Sequence, residues 1–534
     1  MMKPDSALGD KQRFSRIFLF LLAAWGVFWT VLPLISLDND FIDILENIVW
    51  GRHFQWGYDK NPYFGAWLGH GFYVLTGGGL WINYLLSQIF VCTGLFCIWR
   101  LANRFVTPAR ALISTLALTL ITFYGMKATE LCDDVMELGL WPLTILFFYR
   151  ALCDGNRLRD WLLTGLFAGL SFMTKYYGLV LFLPMLSVLL FTERGRRSFR
   201  HAGVYCAAAL FAVISLPNMI WLIGNRFVAI DYAFERAAVG GGGGSLLNHF
   251  KYPWRSISRA AGVVIVPIAL LAAVFFRREK TAAEEENTND SERAFQLFFL
   301  TVICWGPYAL TLLFSLLTGG KINYSWVLPC FSLLPLYAVY LYRPVVTEQR
   351  LRLFLGVVVL FALIFGGVFL VRSVYHQPYR KKGCDYENYP GRAVAAFLSS
   401  EWRKLYGTSL PYVIGERRES CNIAVYSPDQ PEAYFSARKQ YSQWIDERDI
   451  LRRGGVVVWD AKEGLPSSLN RILVPGEGDL RFRLSEERTA DFFRAAPGWF
   501  RSLMKREPKT FRIVYRFIEP ETGARRLPAR LCRQ

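Results

Sequence analysis

Short polar segments set between long apolar runs hold the residues best suited to chemistry. The first reads Leu37-Asp38-Asn39-Asp40-Phe41-Ile42-Asp43-Ile44-Leu45-Glu46 and continues to Trp50-Gly51. Asp43 and Glu46 are three apart, so on a helix they share a face. Two carboxylates held together can take a proton from an attacking hydroxyl or steady a developing cation. The plainer alternative is capping by Asp38 or Asp40 beside ordinary solvated acids. Phe41, Ile42, Ile44, Leu45, Ile48, Val49 and Trp50 surround the pair and suit a helix lying in a membrane interface.

The cations come next along the chain. Lys60 follows Trp56-Gly57-Tyr58-Asp59 and precedes Asn61-Pro62, where helix is disfavoured and an apolar segment begins. An ammonium there can meet a lipid phosphate, or simply snorkel to the interface. Lys175 lies in Thr174-Lys175-Tyr176-Tyr177-Gly178, between two apolar runs and far along the chain from other charge. A cation at a membrane-helix centre costs at least about 2.5–3.5 kcal/mol and usually has an assigned anion. At an exposed hairpin tip it needs none, and both readings stand.

Lys321 and Tyr324 occur in Gly319-Gly320-Lys321-Ile322-Asn323-Tyr324-Ser325-Trp326, just before Leu328-Pro329. Another loop holds Lys127, Glu130, Asp133 and Asp134. Taken alone, both groups read as solvated loop charges. Arg255 and Arg259 follow the Gly240–Gly244 run, which lacks side chains to pack and is expected to be a mobile connection or lid. It is not a phosphate loop, because no Lys-Ser/Thr follows it before a helix.

Apolar runs must position these segments. Spans of about 20 residues cross the hydrocarbon layer, and runs near that length recur from Ile17 to Val371 and then stop. Eleven spans are expected near 17–35, 81–99, 111–125, 136–150, 161–174, 176–191, 203–223, 261–276, 295–317, 326–342 and 353–371. The first follows Lys11, Arg13 and Arg16 as a signal peptide would, but it is long and no small-residue cleavage pattern follows, so it reads as a retained span. Alternate loops are dense in Arg and Lys: Arg100/Arg104/Arg110, Arg150/Arg157/Arg159, Arg194/Arg196/Arg197/Arg200, Arg277/Arg278/Lys280 and Arg343/Arg350/Arg352. Such loops stay cytoplasmic. The N-terminus is therefore expected inside, with the motif-bearing loops and the C-terminal region outside.

At 53% hydrophobic and only 19% charged, the 534-residue chain has the composition of a membrane protein. Its net charge of +18 partly reflects that loop rule, so it gives no reason for a nucleic-acid partner. It does favour an anionic membrane surface or a phosphorylated lipid. Of ten cysteines, Cys92, Cys97, Cys206 and Cys330 fall in spans as packing residues; Cys384, Cys421 and Cys532 lie in the C-terminal region, where one disulfide has room. No zinc-type spacing is present.

The segments together resemble the polyprenol-phosphate-dependent glycosyltransferases of the GT-C fold, in particular the bacterial branch of the protein O-mannosyltransferase superfamily that includes lipid A aminoarabinose transferases. The branch's first-loop pattern is matched by Asp43, Glu46, Trp50-Gly51, Gly57-Tyr58-Asp59-Lys60, Pro62 and Ala66-Trp67. Thr174-Lys175-Tyr176-Tyr177 resembles its Ser/Thr-Lys motif, and Lys321 with Leu328-Pro329-Cys330-Phe331 resembles a later segment. Asn61 stands where the pattern has His, and Tyr63 where a second Pro is usual.

The resemblance, which covers residues 1–371, implies an undecaprenyl-phosphate-linked sugar as donor and an outer-face envelope acceptor such as lipid A or lipopolysaccharide core. It implies Asp43 with Glu46 as catalytic carboxylates, Asp40 remaining a rival counterpart. Lys60, Lys175, Lys321 and Tyr324 would hold the carrier phosphate, and Asp40, Tyr58, Glu130 and Asp133 would contact sugar or acceptor. Transfer of the hexosyl or pentosyl group would invert the anomeric carbon. No cofactor is implied, and a divalent cation stays open. Other readings are a protein O-glycosyltransferase and a lipid-linked sugar transporter or flippase, although no internal repeat of the transporter kind is present.

From about Arg372 the chain turns polar. Tyr412-Val413-Ile414, Ile423-Ala424-Val425-Tyr426, Val456-Val457-Val458-Trp459 and Phe511-Arg512-Ile513-Val514-Tyr515 read as strands, and Ala393 to Leu405 as a helix. The fold expected is a polytopic helical membrane domain over residues 1–371 and a small α/β domain over 372–534.

Overall fold

A computed structural model describes residues 4–237, 246–276, 290–380, 383–474 and 481–521. The Gly240–Gly244 run, Arg277, Arg278, Lys280 and Cys532 lie outside the described residues. The helices are α1 (Pro4–Ser36), α2 (Ile42–Gly51), α3 (Phe64–Leu75), α4 (Trp81–Ala102), α5 (Pro108–Leu116), α6 (Asp133–Cys153), α7 (Leu158–Thr174), α8 (Leu179–Phe191) and the short polar α9 (Glu193–Ser198). Then come α10 (Ala202–Gly224), α11 (Val228–Arg236), α12 (Asn248–Val274), α13 (Asp290–Thr318), α14 (Leu334–Tyr342), α15 (Glu348–Val371), α16 (Gly391–Tyr406) and α17 (Arg417–Tyr426). The chain forms two units: Met1–Val31, Lys60–Gly65 and Asn83–Gly367 make one; Leu32–Asp59, Ala66–Ile82 and Val368–Gln534 make the other.

Seven helices among the described residues are long and apolar enough to cross a membrane: α1, α4, α6, α10, α12, α13 and α15. This is a multi-pass membrane protein. The spans expected near 111–125, 176–191 and 326–342 fall on shorter apolar helices, and the one near 161–174 on the 17-residue α7. The shorter segments are interrupted by 3-10 turns at Ala117–Leu120, Tyr176–Gly178 and Leu328–Phe331. Ala117–Leu120 and Leu328–Phe331 are buried throughout, which fits the rule that irregular backbone at membrane depth survives where protein covers it.

Small residues let the membrane helices approach closely. A Cβ on Gly94 of α4 would lie 2.0 Å from the Leu138 carbonyl oxygen of α6, and one on Gly139 would lie 2.7 Å from that of Phe90. Only glycine fits at this crossing.

The second unit contains a five-stranded sheet of β1 (Tyr412–Gly415), β2 (Glu432–Phe435), β3 (Gly455–Asp460), β4 (Arg488–Phe493) and β5 (Thr510–Ile518), in the order β2-β1-β3-β5-β4. β1 is parallel to β2 and β3; β5 is antiparallel to β3 and β4. Three expected strands are present. The fourth, Ile423–Tyr426, is instead the end of helix α17. A four-residue apolar run fits either period, and parallel β1 and β2 need a crossover that α17 supplies.

Most of the first loop, within Leu32–Asp59 and Ala66–Ile82, belongs by its contacts to this unit, whereas Lys60–Gly65 belongs to the membrane unit. α2 is helical as its pattern predicts, but α17 packs on it, so protein rather than a lipid interface covers much of its apolar surface. Cys384 is a half-buried free thiol.

Candidate active site

Each unit holds one cluster of the expected residues. In the membrane unit, α7 ends at Thr174 because Lys175 turns extended (φ −154°, ψ 130°). That break aims Lys175 at the first turn of α6. Its Nζ lies 2.8 Å from Asp133 Oδ2 and also contacts Asp134 Oδ1. The three side chains are only 11%, 12% and 18% exposed, so Lys175 is a buried, paired cation and not a hairpin tip. The N-terminal end of a helix dipole favours the two carboxylates. Lys60, partly buried, lies near enough to act electrostatically on Asp133. Deeper along α6, the buried Glu137 accepts the Ser171 hydroxyl at 2.6 Å.

Aromatic rings join the later segment to this cluster. Lys175 Nζ stands 5.4 Å from the Trp326 ring centroid, and Tyr177 packs between Trp141 (6.2 Å) and Trp326 (6.3 Å). Lys321 has an exposed side chain, while its backbone N–H donates to the Ala237 carbonyl at 2.7 Å. Tyr324 packs edge-on against Phe123 at 5.1 Å and lies within electrostatic reach of Arg259, an exposed residue of α12. The 126–132 loop is held by Ser87, whose hydroxyl meets the carbonyls of Ala128 (2.6 Å) and Glu130 (3.1 Å). Lys127 there is exposed and Glu130 half-buried.

Beside these residues lies an apolar cavity of about 690 Å³. Leu179, Phe182, Leu183 and Leu186 line one side, Leu310 and Phe314 another, and Tyr177, Trp326 and Lys321 complete it. Such a lining matches a hydrocarbon chain, which brings no polar group that would need a partner there. Lys321, which has no ion pair among the described residues, is then the cation in that wall best able to meet an anionic end group.

The other unit holds the acids of the first loop. Asp43, in the first turn of α2, is half-buried, and Glu46 one turn on is buried. The Arg417 guanidinium at the start of α17 donates to both Glu46 and Asp59. It also faces the rings of Phe435 (5.1 Å), Tyr441 (5.6 Å) and Trp50 (5.7 Å). Asp40 accepts the Tyr426 hydroxyl at 2.6 Å and has Arg392 at 3.9 Å. Tyr58 stacks on Trp50 at 5.2 Å, and burial pushes its phenol above the usual range.

The spacing of acids and lysines singled out the segments that carry these two clusters. It did not find their partners. Arg417 and Tyr426 lie more than 350 residues from the carboxylates they hold, and no local pattern links them. Asp133 and Asp134 read as loop charges, yet they neutralise Lys175. The Thr-Lys break between two apolar runs was the one local signal that a buried anion had to be nearby.

Comparison with known proteins adds kinship. The dolichyl-phosphate-mannose-protein mannosyltransferase family matches residues 60–221. Two lipopolysaccharide core galacturonosyltransferases of Rhizobium johnstonii are similar in sequence. RgtA is 27% identical over 223 residues, 41% of this chain and 44% of that protein. RgtB is 24% identical over 366 residues, 67% of this chain and 72% of that protein. The match thus spans less than half the length of RgtA. Among solved structures, ArnT from Cupriavidus metallidurans bound to undecaprenyl phosphate aligns with a TM-score of 0.58 and 13% identity, over 93% of this chain and 97% of that one. The fold is therefore GT-C, similar to that of ArnT.

Proposed function

We propose that this GT-C-fold protein is an inner-membrane glycosyltransferase that moves a sugar from a polyprenyl phosphate to the lipopolysaccharide core or lipid A on the outer face of that membrane. The observation that carries the reading is the apolar cavity with Lys321 and Trp326 in its wall and Lys175 against Trp326. Such a cavity suits an isoprenoid tail, and the adjoining ammonium suits the phosphate to which the tail is joined. The kinship with RgtA and RgtB favours a core acceptor.

In this reading Lys321 is the main contact of the carrier phosphate, with Lys60 and Tyr324 assisting. Lys175 acts mainly by position, because Asp133 and Asp134 already balance its charge. Breaking the sugar–phosphate bond builds positive charge on the anomeric carbon and negative charge on the leaving phosphate. Fixed lysines stabilise the second in a water-poor site, where such terms are large. Asp43 is the carboxylate of the transfer and acts as base toward an acceptor hydroxyl. An ionised phosphate acceptor needs it only for positioning.

Mass spectrometry of lipid A and core from cells with and without the gene tests the proposal. A sugar missing from either fraction is expected, and an unaltered envelope glycan profile refutes it. Loss from protein instead of lipopolysaccharide would assign a protein O-glycosyltransferase. Lys321→Ala is expected to weaken undecaprenyl phosphate binding at least fivefold, and unchanged affinity removes Lys321 from the site.

A further inference from the structure

The first turn of α6 bears Asp133 and Asp134, and its 21 residues carry the chain about 30 Å to Cys153, roughly one hydrocarbon thickness. At that far end lies a second cavity, of about 480 Å³, lined by Arg100, Arg104, Leu146, Arg150, Asp154 and Arg157. Three helix ends converge there. Arg100 is in the last turn of α4 and Arg150 in that of α6, Asp154 caps α6, and Arg157 precedes the first residue of α7.

Asp154 accepts from Arg104 at 2.7 Å and has Arg150 at 3.9 Å, while the buried Asp160 has Arg150 at 3.0 Å. Arg100 and Arg157 have no carboxylate partner among the described residues. Four guanidinium groups thus face two carboxylates, and the excess positive charge sits in a concave, water-accessible space at a membrane edge. Arginine forks match phosphate oxygens in paired hydrogen bonds, and basic pockets between membrane helices suit anionic headgroups. The carboxylates that hold Arg104 and Arg150 also lower the cost of ordering them around a ligand.

We propose that this cavity binds the phosphate of an anionic phospholipid headgroup in the leaflet opposite the Lys175 cluster. The site is separate from the transfer chemistry and does not depend on that reading. Native mass spectrometry of the full-length protein, with phosphatidylglycerol or phosphatidylcholine supplied in mixed micelles, tests it. The wild type is expected to retain phosphatidylglycerol selectively. Each arginine near a charged headgroup contributes about 1 kcal/mol, so Arg100→Ala or Arg157→Ala weakens retention about fivefold and the double variant about 30-fold. Arg159→Ala, close by in sequence but outside the cavity lining, leaves retention unchanged.

Thermal midpoints in phosphatidylcholine alone are expected to match, which separates lost binding from lost folding. If the alanine variants unfold, Arg100→Lys/Arg157→Lys keeps the charge and still shows preference over phosphatidylcholine. Equal retention by wild type and the folded double variant overturns the proposal. Inorganic phosphate competing as effectively as phosphatidylglycerol overturns the lipid assignment in favour of a soluble anion.

Discussion

Replacing Arg417 with Met would leave Glu46 and Asp59, whose side chains are 3% and 0% exposed, without the guanidinium that bridges them. Removing one partner of a buried ion pair typically costs about 3–5 kcal/mol. The acids can escape part of that cost by taking up protons. For a carboxyl with an unfolded pKa near 4, protonation at pH 7 costs about 1.4 kcal/mol for each of three pH units, so about 4 kcal/mol caps the penalty per group. The loss at pH 7 is therefore expected at about 3–5 kcal/mol, or roughly 6–20 °C in thermal midpoint for a unit of this size.

The sign with pH is the sharper test. In Arg417→Met the folded-state carboxyls titrate above their unfolded values, so stability is full below the unfolded pKa and falls as pH rises through the folded one. The deficit against wild type should shrink as pH falls from 7 toward 4, at no more than about 1.4 kcal/mol per pH unit for each group. Adding Glu46→Gln and Asp59→Asn should recover most of it, since neutral amides need no cation. Tryptophan fluorescence of the full-length protein in detergent, followed against temperature at several pH values, measures all of this. A midpoint shift below 2 °C, a pH-independent deficit, or no recovery in the triple variant would refute the reasoning.

Three further outcomes follow from the same structure. Lys175→Met leaves Asp133 and Asp134 adjacent without their shared cation; a loss of about 3–5 kcal/mol is expected, partly reversed by Asp134→Asn, read as thermal midpoints. Gly94→Ala forces α4 from α6, because its Cβ would sit 2.0 Å from the Leu138 carbonyl, whereas a Cβ on Gly262 meets nothing within 4 Å. The first should cost about 1–3 kcal/mol and the second nothing measurable, by thermal midpoint or folded yield. A 2.6 Å hydrogen bond from Tyr412 holds the Asp449 carboxyl below its ordinary value of 3.8. A depressed carboxyl stabilises above its unfolded pKa, and that stability is lost as pH falls through the folded value; Tyr412→Phe should flatten the midpoint-versus-pH curve below about pH 4.

Apolar length and loop chemistry carried most of the architecture. Strands β1, β3 and β5 were legible as β-branched and aromatic runs, and α16 from its period. β2 was not, because Glu432–Phe435 is four residues long and opens on a charge. β4 was not, because Arg488–Phe493 is interrupted by the charged Arg488 and Asp491 and has Thr489 as its one β-branched residue. Residue types at fixed spacing singled out Asp43, Glu46, Lys60 and Lys175 as candidates. Arg417 stayed hidden because an ion pair across hundreds of residues leaves no mark on local composition.

The link between Arg417 and Glu46 joins residues 371 apart. A ribosome adding about 5–20 residues per second needs roughly 20–70 seconds to make that stretch. Throughout that interval the first loop is already translated while the helix destined to clasp it does not exist. The loop's acids must wait, wet and unclaimed, until nearly the last fifth of the polypeptide emerges, so a truncated product would keep its membrane helices and lose the clasp on its first loop.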